Sequence, residues 1–298
     1  MTVVVKIGGA RAVDPEGALA DVASLVDGGE DVVVVHGGST KVDETLERMG
    51  IEPTYVETPD GVTGRFTDAE TMEVFTMAMS SINTDLVAGL RRQGVDALGL
   101  SGVDGGLLAG KRKSAVRVVE DGKKKIKRGE HSGRIDAVNT DLLETLLGAG
   151  YTPVTGPPML GHDGDTASET PQNDGDVTAG TPVNTDADRA AAAVAGALDA
   201  TLVLLTDVEG VYADPDDPAT LVSHVETSED WAELEAAAEG FMTKKVMAAK
   251  EALDAGAPEV VVASANADDP VSNALASGGT HIQRSAVSDE NQTQEATR

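Results

Sequence analysis

Cysteine is absent from the 298 residues, which excludes disulfide bridges and thiolate nucleophiles and fits a reducing compartment. Aromatic side chains are nearly as scarce. One Trp, three Tyr and three Phe leave little with which to stack on exposed nucleobases. No stretch approaches the ~18 consecutive apolar residues that a membrane-spanning helix needs. The N-terminal MTVVVKIGGARAVD holds a short apolar run without a basic start or a small-residue cleavage pattern, so it is read as the first core strand of a cytoplasmic protein. Positive charge is also in short supply. Lys and Arg number 23 against 51 Asp and Glu, a net charge of −28.

What is present argues for a folded chain. At 40% hydrophobic residues the sequence is too apolar to be disordered throughout, and its acids are spread along it rather than gathered in a tail. That much like charge repels itself in dilute salt, so the expected setting is a salty, halophilic cytoplasm, where a Debye length of ~3 Å at 1 M silences the repulsion. Apolar runs alternate with helix-like periodicity. Strands are expected at Thr2–Ile7, Asp31–His36, Ala97–Leu100, Tyr151–Thr155, Thr201–Thr206 and Glu259–Ser264. Helices are expected at 14–27, 39–49, 68–93, 139–149, 187–199, 242–255 and 269–277. The alternation implies an α/β fold, a mostly parallel sheet covered on both faces. Two segments break the rhythm. Residues 115–128 read as a hairpin around Asp121-Gly122, and the polar residues 161–182 read as an exposed inserted loop. Residues 284–298 read as a disordered tail.

GGLLAGKR at 105–112 almost spells a P-loop, with Gly105, Gly110 and Lys111 correctly spaced. Arg112 stands where the magnesium-binding hydroxyl belongs, and a hairpin follows instead of a helix, so this is a decoy. Better candidates lie at strand ends. Lys6 precedes Gly8-Gly9, and Gly37-Gly38 precedes a helix; paired glycines let backbone N–H groups approach an anion. Asn184, Asp186 and Asp188 stand before an alanine-rich helix, where an Asx residue first suggests an N-cap. Thr206-Asp207 ends another strand before Gly210, Lys244-Lys245 opens a helix, and Arg65 follows a glycine in a loop.

The ordered series VVVKIGG, HGGS, GRFTD, NTDAD, LLTDVEGVY and GFMTKKV, spread over residues 2–282, resembles the amino acid kinase family in its acetylglutamate kinase branch. HGGSTKVDE, GLSGVDGGLLAGKRK, RGEHSGRI and GFMTKKVMAAKEAL are most similar to branch members whose substrate amino acid rides on a small acidic amino-group carrier protein of the LysW type. The resemblance implies a three-layer α/β/α sandwich over residues 1–283. Residues 1–160 would bind the carboxylate substrate and 184–283 would bind ATP with Mg2+. It also implies a homodimer. Carried over by motif, Lys6 and Lys245 would neutralise the transferring phosphoryl group, and Asp188 would hold the two lysines. Gly8, Gly9, Gly37 and Gly38 would supply backbone donors. Arg65 and Asn184 would bind substrate, and Thr206, Asp207, Val208, Gly210 and Val211 would line the adenosine side. Lys244 is the lesser candidate, because the family lysine directly precedes a valine.

Residue chemistry suits that assignment. A carboxylate with a pKa near ~4 is already a nucleophile at neutral pH, so acyl-phosphate formation needs no general base. The work is positioning and charge stabilisation. One stretch still needs explaining. Residues 111–134 hold ten of the 23 basic residues and only three acids. Lys111, Arg112, Lys113, Arg117, Lys123, Lys124, Lys125, Lys127 and Arg128 are the expected contacts for an acidic carrier, in preference to nucleic acid or a merely solvated face. The competing readings are a kinase of free N-acetylglutamate, for which the strip would be superfluous, and a non-catalytic sensing module. Retention of both Lys6 and Lys245 argues against the latter.

Overall fold

The valine-rich runs become strands of one sheet because helices cover both of its faces. The structure, a computed structural model, describes residues 1–8, 15–59, 61, 63–120, 122–163, 180–238 and 240–288. The chain opens with β1 (Thr2–Ile7), α1 (Pro15–Asp27), β2 (Asp31–His36) and α2 (Ser39–Arg48). A small hairpin of β3 (Tyr55–Glu57) and β4 (Thr63–Arg65) precedes α3 (Ala69–Arg92) and β5 (Ala97–Gly99). The long β6 (Leu108–Glu120) and β7 (Lys123–Val138) lead to α4 (Thr140–Gly148), β8 (Thr152–Thr155), β9 (Met159–His162) and β10 (Thr181–Val183). The second half runs α5 (Ala187–Ala197), β11 (Thr201–Thr206), β12 (His224–Val225), α6 (Ser228–Ala237) and α7 (Phe241–Ala255). It closes with β13 (Glu259–Ser264), α8 (Pro270–Ala276) and β14 (Thr280–Gln283).

The main sheet has the order β12-β14-β13-β11-β1-β2-β8-β5, and of its strand pairs only β13–β14 is antiparallel. Alternation along β1 sorts its side chains between two cores. Val3, Val5 and Ile7 pack with Ala18, Val22, Leu86 and Val271 on the face of α1, α3 and α8. Val4 packs with Ala190, Val194, Ala249 and Leu253 on the face of α5 and α7. Lys6, two residues on, shares the face of Val4. That parity aims its ammonium at α5 and α7. The alanines of α5 let α7 come close, and a Cβ on Gly196 would lie 2.4 Å from that of Ala255.

Several expectations need correction. The hairpin expected at 115–128 is longer, because β6 and β7 also join a second sheet of order β10-β9-β6-β7. As expected, no helix follows the P-loop-like stretch, because Gly110 lies within β6. The polar insert is shorter than 161–182, since Gly161 and His162 end β9 and Thr181-Pro182 begin β10; residues 164–179 lie outside the described residues. The tail starts later than 284. Arg284–Ala286 form a 3₁₀ turn with Ala286 buried, while residues 289–298 lie outside the described residues.

Candidate active site

The carboxyl ends of β1, β2 and β11 open into a cleft of about 1080 Å³, the place where sheets of this kind bind ligands. Helices α5 and α7 point their N-termini at it. Asp186 caps α5 by accepting from the N–H groups of Asp188 (2.9 Å) and Arg189 (3.1 Å), as expected of an Asx residue there. The cap leaves Asp188 in the first turn, facing β1. Its Oδ1 lies 2.6 Å from Lys6 Nζ and its Oδ2 lies 3.2 Å from Lys245 Nζ. Lys6 and Asp188 are 5% and 9% exposed, so the bridge is sheltered but open to the cleft. Burial opposes ionisation of Asp188, yet the two lysines prevail and hold its carboxyl at about 2. Burial and the Lys6 charge together lower the Lys245 pKa, against the pull of Asp188. One carboxylate thus binds two ammonium groups. A net positive charge is left for an incoming anion.

The glycine loops flank this bridge. Gly8, Gly37 and Gly38 line the cleft; Gly9 lies outside the described residues. Gly38 also serves packing, because a Cβ there would come 2.5 Å from Ile82 and 2.7 Å from Met79 Sδ on α3. Behind the loop, His36 is buried with Nε2 3.2 Å from Asn83 Nδ2. Burial, reinforced by the Lys6 charge, lowers its pKa to about 4 against the Gly37 carbonyl contact, so the ring is neutral near pH 7.

Arg65 reaches the cleft, but much of its guanidinium is engaged within the protein. Its Nε and Nη2 donate to Asp43 Oδ1 (3.0 and 2.8 Å), and Nη2 also donates to the Ser39 carbonyl and hydroxyl, each at 2.9 Å. Tyr55 OH donates to the other oxygen of Asp43 at 2.7 Å. None of these bonds uses Nη1. Asp43, Ser39 and Tyr55 were missed by sequence reasoning, although Ser39 and Asp43 stand one helical turn apart within HGGSTKVDE. Asn184 lines the cleft while donating from Nδ2 to Thr67 Oγ1 (3.0 Å), and its backbone is stitched to His131 and Gly133 of β7.

Thr206, Asp207, Val208, Gly210 and Val211 line the far side. Thr280, also missed, shapes their loop. Its Oγ1 accepts from Val211 N at 2.8 Å, and a Cβ on Gly210 would come 2.6 Å from it. Of the basic strip, Lys113 lines the cleft. Arg112 pairs with Asp163 (3.1 Å), Lys125 with Glu120 (2.9 Å), and Lys127 stands 4.1 Å from the centroid of the Phe66 ring. Lys111, with its backbone N–H on Asp136 (3.0 Å), sits near the arm's base, while Arg117, Lys123, Lys124 and Arg128 are exposed farther out.

A family model described as the amino acid kinase family matches residues 1–264. The chain belongs to the amino acid kinase family. It is 42% identical over 282 residues to a [LysW]-aminoadipate kinase from Deinococcus radiodurans, covering 94% of this chain and 91% of that one. It is 43% identical over 263 residues to an acetylglutamate kinase from Methanopyrus kandleri, covering 87% and 93%. Among solved structures, N-acetylglutamate synthase from Neisseria gonorrhoeae, complexed with coenzyme A and N-acetyl-glutamate, superposes with a TM-score of 0.72 at 25% identity. The match covers 95% of this chain and 59% of the synthase, so this chain spans about three fifths of that enzyme's length.

Proposed function

We propose that the protein uses ATP to phosphorylate the side-chain carboxylate of glutamate or 2-aminoadipate linked to an acidic amino-group carrier protein, giving an acyl phosphate for arginine or lysine synthesis. The observation that carries this reading is the Lys6–Asp188–Lys245 bridge in the cleft. Residues 1–160 would hold the amino-acid substrate and residues 184–283 the nucleotide, with the bridge at their seam. Lys6 and Lys245 would take up the charge that develops on the transferring phosphoryl oxygens, and Asp188 would fix their spacing. Gly8 and Gly38 would donate backbone N–H groups, with Gly9 expected beside them, whereas the Gly37 N–H donates to the Ile7 carbonyl at 3.2 Å. Thr206–Val211 would border the adenosine.

Magnesium suits this donor set only as a companion of ATP. Among the described residues, no three His, Asp or Glu side chains gather into a metal cage, and both Asp188 oxygens face lysines. Mg2+ generally keeps several waters and is held largely by substrate phosphates, where it would bridge and neutralise them. The charge of −28 supports work in a salt-rich cytoplasm, and a homodimer is the assembly that the resemblance implies; sedimentation at molar salt would measure its mass.

The deciding experiment compares ATP consumption on carrier-linked glutamate, carrier-linked aminoadipate and free N-acetylglutamate, at molar salt. Turnover is expected on a carrier-linked substrate, and none there would sink the reading. The second reading, a kinase of free N-acetylglutamate, draws support from the Methanopyrus kandleri relative; turnover confined to the free substrate would establish it. Glutamate and aminoadipate differ by one methylene, worth only ~1–3 kcal/mol in a pocket.

Arg65→Ala is expected to raise KM for the amino-acid substrate by roughly 10–150-fold, the equivalent of the ~1.5–3 kcal/mol of a hydrogen bond to a charged group. ATP KM should change little, since Arg65 sits on the side of Ser39 and Asp43. A raised ATP KM with unchanged amino-acid KM would move Arg65 to the nucleotide site.

A further inference from the structure

Strand pairing divides the β6–β7 arm into two unlike faces. Directly paired residues point to the same side of a sheet, and sides alternate along each strand. Beyond the irregularity between Lys113 and Ala115, the pairs Val116–Lys127, Val118–Lys125 and Glu120–Lys123 therefore share one face. The protein itself covers that face at its base and ion-pairs it farther out. Val118 is 1% exposed, Lys127 lies over Phe66, and Lys125 pairs with Glu120. The opposite face holds the pairs Ala115–Arg128, Arg117–Ile126 and Val119–Lys124. Here Ile126 is 64% exposed, with Arg117 across from it and Lys124 and Arg128 two residues to either side, all three exposed.

An apolar centre ringed by cations matches the layout of a docking surface, an anchor within a polar rim. We propose that this outer face, Ile126 inside Arg117, Lys124 and Arg128, is where the body of the acidic carrier protein docks. The inference rests on the carrier-linked reading above and assigns only part of the basic strip to that contact. Charge complementarity selects the partner. The face belongs to a strip holding ten of the 23 basic residues of a chain whose net charge is −28.

The arm also sets a reach. From Ile126, β7 runs to Ser132 and Gly133, which line the cleft. Because β7 bulges between Arg128 and Ser132, the span is measured better on β6, where Arg117 and Lys113 are the partners of Ile126 and Ser132; four steps of ~3.3 Å make roughly 13 Å. A carrier seated on the arm must present its amino acid on an extended segment of about that length.

The test titrates wild type, Ile126→Ser, Arg117→Gln/Arg128→Gln and Lys125→Gln with carrier protein lacking its amino acid, and in parallel measures phosphoryl transfer to carrier-linked glutamate and aminoadipate. Ile126→Ser and the double arginine variant are each expected to weaken carrier Kd about tenfold or more, with KM for the carrier-linked substrate rising in step. Lys125→Gln, on the inner face, should shift Kd less than about twofold. Circular dichroism checks that the variants remain folded. Equal weakening by Lys125→Gln, or wild-type affinity in the outer-face variants, overturns the assignment even if the kinase reaction is observed. Wild-type protein that binds the carrier but does not phosphorylate its amino acid overturns the proposed function and leaves the docking face standing. Wild-type protein that does neither overturns both.

Discussion

Lys6→Ala and Lys245→Ala are each expected to lower kcat at least ~100-fold, the scale for losing one donor that stabilises charge developing in a transition state. Both ammonium groups sit on Asp188 in the cleft, and each carries three donors, so each can keep the carboxylate while meeting a phosphoryl oxygen. ATP binding should weaken much less than kcat falls, because the extra charge on the phosphoryl oxygens appears as the bond breaks. Stability should change modestly. With either lysine gone, Asp188 keeps one partner, and the neutral pair that remains carries no unmatched charge. This separates catalysis from folding. Thermal unfolding close to wild type with turnover reduced by two orders of magnitude supports the role, whereas near-normal turnover in either variant removes that lysine from the chemistry.

The strand-ending motifs were legible in the sequence because each is local. Lys6 before Gly8, Gly37-Gly38 after a valine run, and Thr206-Asp207 before Gly210 mark where chain direction and hydrophobicity change together. Parity along β1 placed the Lys6 side chain on the face of α5 and α7, and the Asp186 cap set Asp188 one step into α5. The clamp on Arg65 was hidden, because Asp43, Tyr55 and Ser39 come from α2 and β3 and meet it only in the fold. Thr280 was hidden for the same reason, as it bonds to Val211 from 69 residues away. Strands β3, β4, β9, β10, β12 and β14, of two to four residues each, are too short for a period to show. Helix α6, absent from the expected helices, does carry a readable signal. Thr227 and Asp230 form a capping box at its start. In the basic strip, composition marked the arm, but only the pairing register separates the lysines it uses internally from those it presents.

Asp188→Asn should produce the largest loss of stability of any change in the site. The amide keeps the shape of the side chain but leaves two sheltered ammonium groups facing each other with no counter-charge. Removing one partner of a buried ion pair costs about 3–5 kcal/mol, against a total stability of roughly 5–15 kcal/mol for a folded domain. The pH dependence carries a definite sign. The folded-state pKa of Asp188 is depressed, to about 2, from an unperturbed value near ~3.9. Its contribution is therefore complete above pH ~4 and is lost as pH falls toward 2. The gap between wild type and Asp188→Asn, measured by denaturant unfolding, should be widest above pH ~4 and close on acidification. A gap that stays constant with pH would mean that ionised Asp188 is not the source of the stability. Two further measurements separate charge repulsion from misfolding. Adding Lys6→Met to Asp188→Asn should restore much of the lost stability, because a single ammonium remains, while turnover stays low. ATP should also stabilise Asp188→Asn more than it stabilises wild type. In the variant, the phosphates supply the counter-charge that the carboxylate no longer provides. In wild type, Asp188 already supplies it. Equal stabilisation of the two proteins by ATP would place the phosphates away from Lys6 and Lys245, and the phosphoryl-transfer assignment of both lysines would fall with it.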